Sequence, residues 1–400
     1  MTRYVLSAAL LAALSLFPSR ALAQDPDTPA AGTVVYRAFR ITPTLVLRDM
    51  GVDNNVFNDS VDPKSDFTFT LTPRADVVFR MQRLRIAFGT AVDYVYFHNY
   101  ASERGVNTTS TVRGDFNLGR IHPYISAAGV DTRQRLNAEI DERARHHDAT
   151  YAAGVTMDVA SRTHVRFNAS RATIAFDPGE AFRGVELRQS FDSERRTLDG
   201  GLTLDLTPVT RFDMVVARER QTFVLSPERD SESWRAGGGF TFSTDGVLRG
   251  SAMLGYRDFH TISPAVPDFS GVVAAATVGA TLYGRHDLVG VVNRDVQYSY
   301  DQLADFYIAT TTGLTWTMLL KGPFDVRATA TRVLMDYRTV AVSVDPDRMV
   351  TYGGGIGYRF SGHARLGVNT DWSRRTSDLQ AERSYRNHRI FAGLTWGTTL

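Results

Sequence analysis

The sequence predicts an all-β protein, a transmembrane antiparallel β-barrel of about 18 strands, with 16 or 20 strands left open if one hairpin is misread. Three observations predict this class. Apolar and polar side chains alternate with period two along nearly the whole chain. The connections between these segments are alternately short turns and long polar loops. After residue 23, no apolar run reaches the roughly 20 residues that a membrane-spanning helix needs.

The N-terminus is typical of a secretory signal peptide. Arg3 gives a positive start, residues 5–17 form an apolar run broken only by small residues, and Ala21-Leu22-Ala23 supplies a small-x-small cleavage pattern before Gln24. A membrane anchor is the alternative, but the apolar run is shorter than the roughly 20 residues that a bilayer requires. The expected organisation is a signal peptide (1–23), a short periplasmic lead (24–38) and an outer-membrane β-barrel (39–400).

Composition excludes several partner classes. The chain has no cysteine, so no disulfide framework stabilises this exported protein. Loss of Arg3 and Arg20 with the signal peptide takes the formal charge from +2 to 0. A neutral chain with interspersed charges lacks the concentrated basic face that nucleic acid binding requires. We therefore expect no nucleic acid partner.

The alternating segments predict which side chains face lipid. Phe67, Phe69 and Leu71 share one face of a strand, whereas Thr68 and Thr70 share the other. Across the chain the second face carries Arg, Asp, Asn, Thr and Gly, which suits a wet lumen better than a soluble core. Aromatic residues concentrate near strand ends, as in the girdles of membrane barrels. Examples are Tyr94, Tyr96, Phe97, Tyr100, Tyr298, Tyr300, Tyr337 and Trp372.

The connections give the strand count. Eight short turns and nine long loops make 17 connections and hence 18 strands, with both termini on the short-turn, periplasmic side. The last segment alternates through Ile390, Leu394 and Trp396, as barrel closure requires, although the chain ends on Leu400 and not on Phe or Trp. The longest loop, residues 177–193, is the one expected to fold inward. The long loops are predicted at 54–65, 99–108, 135–148, 177–193, 226–232, 263–269, 300–305, 339–348 and 377–385.

The first hairpin carries a family resemblance. Ile41, Pro43 and two leucines lead to Asp53-Asn54-Asn55-Val56-Phe57, and a second strand ends Leu71-Thr72-Pro73-Arg74. This resembles the putative β-barrel porin type 2 family, whose members include barrels that accompany exosortase and exopolysaccharide gene clusters. The resemblance implies an outer-membrane barrel and brings no catalytic residues.

Charged residues on the non-apolar face are expected to line the lumen, because a charge facing lipid costs roughly 2–4 kcal/mol at mid-bilayer. A water-filled lumen with charges of both signs would be a passive pore, whereas the same charges could also pair across a closed lumen. The predicted lumen-lining residues are Arg74, Arg80, Arg85, Asp93, Arg113, Asp115, Arg166, Asp199, Arg211, Asp213, Arg235, Arg249, Asp325, Arg327, Arg365 and Asp371.

Sites for catalysis, cofactors or metals are not predicted. His146-His147 lie in a loop with Glu139, Asp141, Glu142 and Asp148, but adjacent histidines on a polar loop are more often solvated than metal-bound. Asp53-Asn54-Asn55 is interpreted as a turn whose side chains bond their own backbone, because a calcium loop needs more carboxylates. No phosphate-binding or dinucleotide-binding glycine pattern is present in the sequence.

These features predict a porin-like passive channel for small hydrophilic solutes in the cell outer membrane. The alternative is a non-enzymatic outer-membrane component associated with exopolysaccharide export. The expected partners are outer-membrane lipid and, for the alternative, polysaccharide-export machinery, while the oligomeric state is left open. An outer-membrane enzyme is the third reading, and the scattered histidines without a local nucleophile or acid argue against it.

Overall fold

The computed structural model describes residues 33–243, 246–263, 266–301, 304–338, 345–377 and 381–397. The predicted signal peptide, the lead up to residue 32 and the terminal Leu400 lie outside the described residues. No helix within the described ranges is long and apolar enough to cross a membrane.

Eighteen long strands in the described part of the chain form one closed antiparallel barrel, which confirms the predicted fold and strand count. Each strand pairs with its neighbours in sequence, and the first pairs with the last through Leu45–Trp396 and Val52–Ile390. A short strand, Val34–Tyr36, folds back on the start of the first barrel strand. The barrel strands are β1 Phe39–Asp53, β2 Asp66–Met81, β3 Leu84–Phe97, β4 Gly105–Phe116, β5 Ile121–Gln134, β6 Ala144–Ala160, β7 Thr163–Phe176, β8 Ser193–Thr207, β9 Thr210–Phe223, β10 Ser231–Phe242, β11 Leu248–Thr261, β12 Phe269–Leu282, β13 His286–Tyr298, β14 Phe306–Leu319, β15 Phe324–Arg338, β16 Asp347–Ser361, β17 Ala364–Thr376 and β18 Tyr385–Trp396.

Short and long connections alternate around the barrel as the sequence predicts. One end carries tight turns such as Tyr283-Gly284, where both residues have positive φ (51° and 62°), the geometry that matches the twist of a hairpin. The other end carries the long loops. A five-residue helix, α1 Leu187–Phe191, lies in the loop between β7 and β8, and a two-stranded hairpin precedes it.

A β-bulge in β1 changes which side chains face outward. Asp49 has a φ of 55°, and the pairing of β1 with both neighbours shifts register around it. Before the bulge the exposed apolar residue is Leu45, at an odd position, whereas after it Met50 and Val52 are exposed at even positions. The extra residue therefore keeps the apolar face continuous and turns Asp53 to the opposite face.

Apolar side chains form the outer surface of the barrel wall. Large residues such as Leu254, Ile356 and Phe360 are more than half exposed, as expected for side chains that face lipid. Buried apolar clusters lie instead among the long loops and the adjoining strand ends. The long-loop end of the barrel is consequently packed, whereas the mid-wall is polar on its inner side.

Candidate functional site: the barrel interior and its constriction

Ion pairs that reach across an intervening strand identify the inner face of the wall. Side chains converge on the concave side of a closed sheet and diverge on the convex side, so contacts that skip a strand belong to the concave side. Arg257 on β11 donates to Glu219 on β9 (2.7 Å) and to Asp295 on β13 (2.8 Å). Arg249 on β11 likewise donates to Asp287 on β13. These residues therefore face the interior.

Four charged side chains form the most buried group on this wall. Arg235 on β10 lies 3.5 Å from Glu219 and 3.6 Å from Asp295, the same two carboxylates that Arg257 contacts. All four side chains are almost fully buried. Two arginines and two acids balance in charge, which offsets the desolvation cost that any one of them would carry alone.

A second group surrounds Asp325 on β15, whose side chain is 0% exposed. Arg365 on β17 reaches it across β16, with Nη2 donating to Oδ1 at 2.6 Å, and Arg359 on β16 donates to Oδ2 at 3.1 Å. Arg327 follows Asp325 by two positions and shares its face. Asp371 on β17 accepts a hydrogen bond from Arg389 on β18 at 2.8 Å.

Asp93 on β3 accepts hydrogen bonds from strands on both sides of it. Arg48 on β1 donates to it at 2.7 Å across β2, and Thr72 on β2 donates at 2.5 Å. Gln134 on β5 donates from the opposite direction at 3.4 Å. The inner wall is thus linked by hydrogen bonds over five consecutive strands.

The remaining predicted lumen residues also pair along or between strands. Asp115 accepts from Arg85 and Arg113, Asp76 accepts from Arg74, Asp205 pairs with Arg211, Asp199 pairs with Arg166, Asp213 accepts from Thr203 and Thr241, and Arg80 lies opposite Arg85 in the register of β2 and β3. The structure therefore brings Asp325 together with Arg365, Asp115 with two arginines, and Asp199 with Arg166. Exposure of the predicted set to a water-filled lumen stays a prediction.

Sequence reasoning missed Glu219, Arg257 and Asp295. Glu219 sits in a stretch where both faces are charged, so the alternation disappears locally. Extending the parity of Arg211 and Asp213 along β9 would have placed Glu219 on the same face.

A second long loop crosses the barrel interior. It was not expected from the sequence to fold inward, because it is not the longest loop. Residues 135–143, here called the crossing loop, connect β5 to β6. Ser299 Oγ and Tyr300 N, in the loop after β13, donate hydrogen bonds to Glu139 at 2.6 and 3.3 Å. That contact lies eight strands away around an 18-strand barrel, close to the opposite wall. The crossing loop therefore obstructs the passage.

Charged groups hold the crossing loop in place. Arg375 on β17 donates to the carbonyl oxygens of Ala138 (3.0 Å) and Glu139 (3.1 Å), and its guanidinium pairs with Asp347 at 3.0 Å. Arg383 lies 3.7 Å from Glu139 and 3.6 Å from Asp347. Asp141 pairs with Arg375 at 3.3 Å. We call these five ionisable side chains the docking cluster; they are Glu139, Asp141, Asp347, Arg375 and Arg383.

The docking cluster holds three carboxylates but two guanidiniums, and its side chains other than that of Asp141 are almost fully buried. Burial disfavours the charged form of an acid, and it raises the pKa of Glu139 to about 7, with Arg383 opposing part of this effect. Burial also raises the pKa of Asp141. Glu139, whose pKa of about 7 lies near neutral pH, is therefore a group through which pH acts on this cluster.

The helical loop, residues 177–192, packs beside the crossing loop, and the constriction predicted for residues 177–193 stays a prediction. Leu187 and Phe182 from the helical loop join Ile140 from the crossing loop and Tyr300 in one buried apolar cluster. Each fully buried aliphatic side chain contributes about 1.5–3 kcal/mol. Arg183 also donates to the carbonyl oxygen of Glu382, across the barrel mouth, at 3.0 Å.

A cavity, here called the opening, lies between the crossing loop and the wall. This cavity has a volume of about 200 Å³ and lies against β1, β16, β17 and β18. Its charged lining consists of Asp53 and Arg389 from the wall and Arg135 and Asp141 from the crossing loop. The two acids and two arginines balance, so the opening carries little net charge.

Of the acids considered with the histidine pair, Asp148 lies 3.8 Å from His146, whereas the structure describes no ion pair of either histidine with Glu139, Asp141 or Glu142. His146 is buried and its ring packs against Phe176 with centroids 5.1 Å apart, whereas His147 is exposed and pairs with Asp177 at 3.1 Å. Among the described residues, no group of three or more histidine or acidic side chains has the arrangement of a metal site.

The Asp53-Asn54-Asn55 motif of the first hairpin forms a turn whose side chains bond the backbone, as its sequence predicts. The backbone N–H of Asn55 donates to Asp53 Oδ1 at 2.9 Å, and the Asn55 side chain bonds Asp59 and the Arg386 carbonyl. Asn387 donates to Asp53 and so ties the turn to β18. The motif therefore fastens the first loop to the strand that closes the barrel.

Comparisons with known proteins agree with this architecture. A family model described as putative beta-barrel porin 2 matches residues 30–397. Among solved structures, a BenF-like porin from Pseudomonas fluorescens is similar with a TM-score of 0.51 and 11% identity, over 90% of this chain and 99% of that one. The outer membrane protein opdK from Pseudomonas aeruginosa has a TM-score of 0.50 and 9% identity, over 89% and 98%. At these identities the likeness shows the fold alone. No curated protein sequence matches the chain.

Proposed function

The chain belongs to the putative beta-barrel porin 2 family, and on that premise we propose that this outer-membrane β-barrel is a passive channel for small hydrophilic solutes. The observation that carries the proposal is the inner wall. Charged and hydroxyl side chains there form ion pairs and hydrogen bonds with one another across neighbouring strands, in the group around Asp93 as in the group around Asp325. Such a wall suits water and polar solutes and would not suit an apolar cargo.

The barrel is wide enough for this function. Strands about 4.8 Å apart and tilted by about 40° give an 18-strand barrel a backbone diameter of about 36 Å. Inward side chains narrow this width, and the crossing loop and the helical loop narrow it further at the long-loop end. The 200 Å³ opening beside the crossing loop supports passage of small solutes and opposes passage of folded or polymeric cargo.

The charges at the opening predict weak ion selectivity. Asp53 and Asp141 face Arg135 and Arg389 around it, so neither cations nor anions meet a net field of one sign. A narrow opening with balanced charge would select by size more than by charge.

Planar-bilayer recording of the purified chain tests the proposal. We expect discrete conductance steps that scale with salt concentration, and a reversal potential close to zero under a tenfold KCl gradient. Neutralising one sign, with the pair Arg135→Gln and Arg389→Gln, should shift the reversal potential towards cation selectivity. Protein that inserts folded into bilayers and yet conducts nothing contradicts the channel.

The proposed function is non-enzymatic, in keeping with a porin family. We expect the folded barrel to show no turnover in hydrolase screens. Association with polysaccharide-export machinery remains the second proposal, and no contact among the described residues favours it. If deletion of the gene leaves the amount of surface polysaccharide unchanged, that result argues against a role in export.

A further inference from the structure

A groove on the outer surface of the barrel, independent of the proposed channel, contains arginines that pair with no acid in the part of the chain that the structure describes. The groove has a volume of about 660 Å³ and lies at the long-loop end of β16, β17 and β18. Arg348, Arg374 and Arg386 line it and are exposed. Among the residues that the structure describes, no carboxylate forms an ion pair with any of these three side chains.

The register places two of these charges next to each other. Arg374 on β17 lies directly opposite Arg386 on β18, and Val350 on β16 continues the row. Side chains directly opposite in a sheet are about 5 Å apart at Cβ, and like charges in such a pair are destabilising. An anion that bridges Arg374 and Arg386 would remove this repulsion.

Another part of the outer surface shows how the chain neutralises the same arrangement internally. Arg171 on β7 lies directly opposite Arg196 on β8. Both arginines donate to Glu194, at 2.7 Å and 2.5 Å. Arg374 and Arg386 have no glutamate in the equivalent place within the described residues, and an anion from outside the chain would fill that place.

The groove lies at the level of lipid headgroups. The next row towards mid-wall carries Tyr352 and Trp372, which are 60% and 51% exposed, and the Trp372 ring stacks on His388. The next row pairs Gly354 with Thr370, and the row below it pairs the apolar residues Ile356 and Val368. Exposed Tyr and Trp mark the boundary of the hydrocarbon layer, so the arginine row lies just outside it.

We propose that this groove binds a phosphate-bearing lipid of the outer leaflet, with Arg374 and Arg386 holding one phosphate and Arg348 beside them. Guanidinium groups bind phosphate through paired, charge-assisted hydrogen bonds. Basic clusters on the surface of membrane proteins recognise anionic headgroups in this way. Long loops lie on the extracellular side of such barrels, which places the groove in the outer leaflet.

Native mass spectrometry of the folded barrel in detergent tests the proposal, with diphosphoryl lipid A as the probe. We expect the double variant Arg374→Gln/Arg386→Gln to weaken lipid A binding by about tenfold or more, equivalent to about 1.4 kcal/mol. The matched control, Arg171→Gln/Arg196→Gln, removes an opposed arginine pair that already has its glutamate and should bind as the unchanged chain does. Arg374→Lys/Arg386→Lys should restore part of the affinity.

Measurements on the unchanged chain cover the case in which a variant fails to fold. Raising NaCl from 50 to 500 mM should weaken lipid A binding at least about fivefold, because salt screens exposed charges. Phosphatidylcholine, whose phosphate is neutralised within the headgroup, should bind weakly. Equal binding by the Arg374→Gln/Arg386→Gln variant, equal binding of phosphatidylcholine, or salt-independent binding would overturn the proposal. Full displacement of lipid A by 10 mM inorganic phosphate would identify a small-anion site instead.

Discussion

Replacing Glu139 with glutamine should remove the pH dependence of the constriction. Glu139 is fully buried between Ser299, Tyr300 and Arg383, and burial raises its pKa from 4.5 to about 7. When the crossing loop leaves this position, the carboxyl group returns to water and its pKa falls. The docked loop therefore holds the proton more tightly than the released loop does.

This difference fixes the direction and size of the pH effect. The stabilisation of the docked loop is fully present below about pH 4.5 and declines as pH rises to about 7, because the released state then gains from ionisation. A difference of about 2.5 pKa units corresponds to about 3 kcal/mol, or roughly a three-hundredfold change in the ratio of released to docked loop. Glutamine keeps the hydrogen-bonding shape without the ionisation.

Single-channel recording at pH 4.5, 6 and 8 provides the assay. The unchanged chain should show more frequent transitions to a larger conductance at pH 8 than at pH 4.5, whereas Glu139→Gln should show the low frequency at every pH. Glu142→Gln, on the same loop but outside the docking cluster, is the matched control and should keep the pH dependence. A pH response that survives in Glu139→Gln would refute the reasoning.

Three further predictions concern the wall and the second loop. Asp325→Asn should lower the free energy of unfolding by about 3–5 kcal/mol, because Arg359 and Arg365 lose a buried partner. The control Asp76→Asn, at an exposed ion pair, should lower it by no more than about 1 kcal/mol. Equal effects of the two variants in denaturant titrations would contradict the burial of Asp325. Spin labels at positions 69 and 70 should be accessible to lipid-soluble and water-soluble quenchers respectively, and the reverse pattern would mean that the strand faces are inverted. Deleting residues 180–190 should raise conductance and release Ile140 from its apolar cluster, and an unchanged conductance would show that the helical loop lies outside the conducting path.

Period-two alternation of apolar residues and the alternation of short and long connections predicted the barrel, its strand number and the end on which the long loops lie. These features are local, because each strand has to present one apolar and one polar face whatever its neighbours are. The bulge at Asp49 was not predicted, since its cause is the pairing of β1 with both β2 and β18. Contacts that skip a strand, such as Arg257 with Glu219, depend on the curvature of the closed sheet, which no single segment encodes.

The crossing loop was missed because loop length was used as the criterion for inward folding. Its nine residues make it shorter than the loop at 177–192. The available signal was chemical: Leu136 and Ile140 are apolar residues within an otherwise polar loop, and Ile140 is fully buried in the structure. The residues that it contacts in the docking cluster lie more than 200 positions later in the sequence, so these contacts could not be deduced from spacing.

The most direct test of the channel compares single-channel conductance of the unchanged chain with that of a variant in which residues 137–142 are replaced by a Gly-Ser linker. The 200 Å³ opening is about 7 Å across if it is taken as a sphere, and removing the crossing loop should widen the passage to roughly twice that within an 18-strand barrel. The predicted result is a small, salt-dependent conductance in the unchanged chain and an increase of about threefold or more in the variant. Folded protein that stays silent in bilayers both with and without the crossing loop would contradict the account.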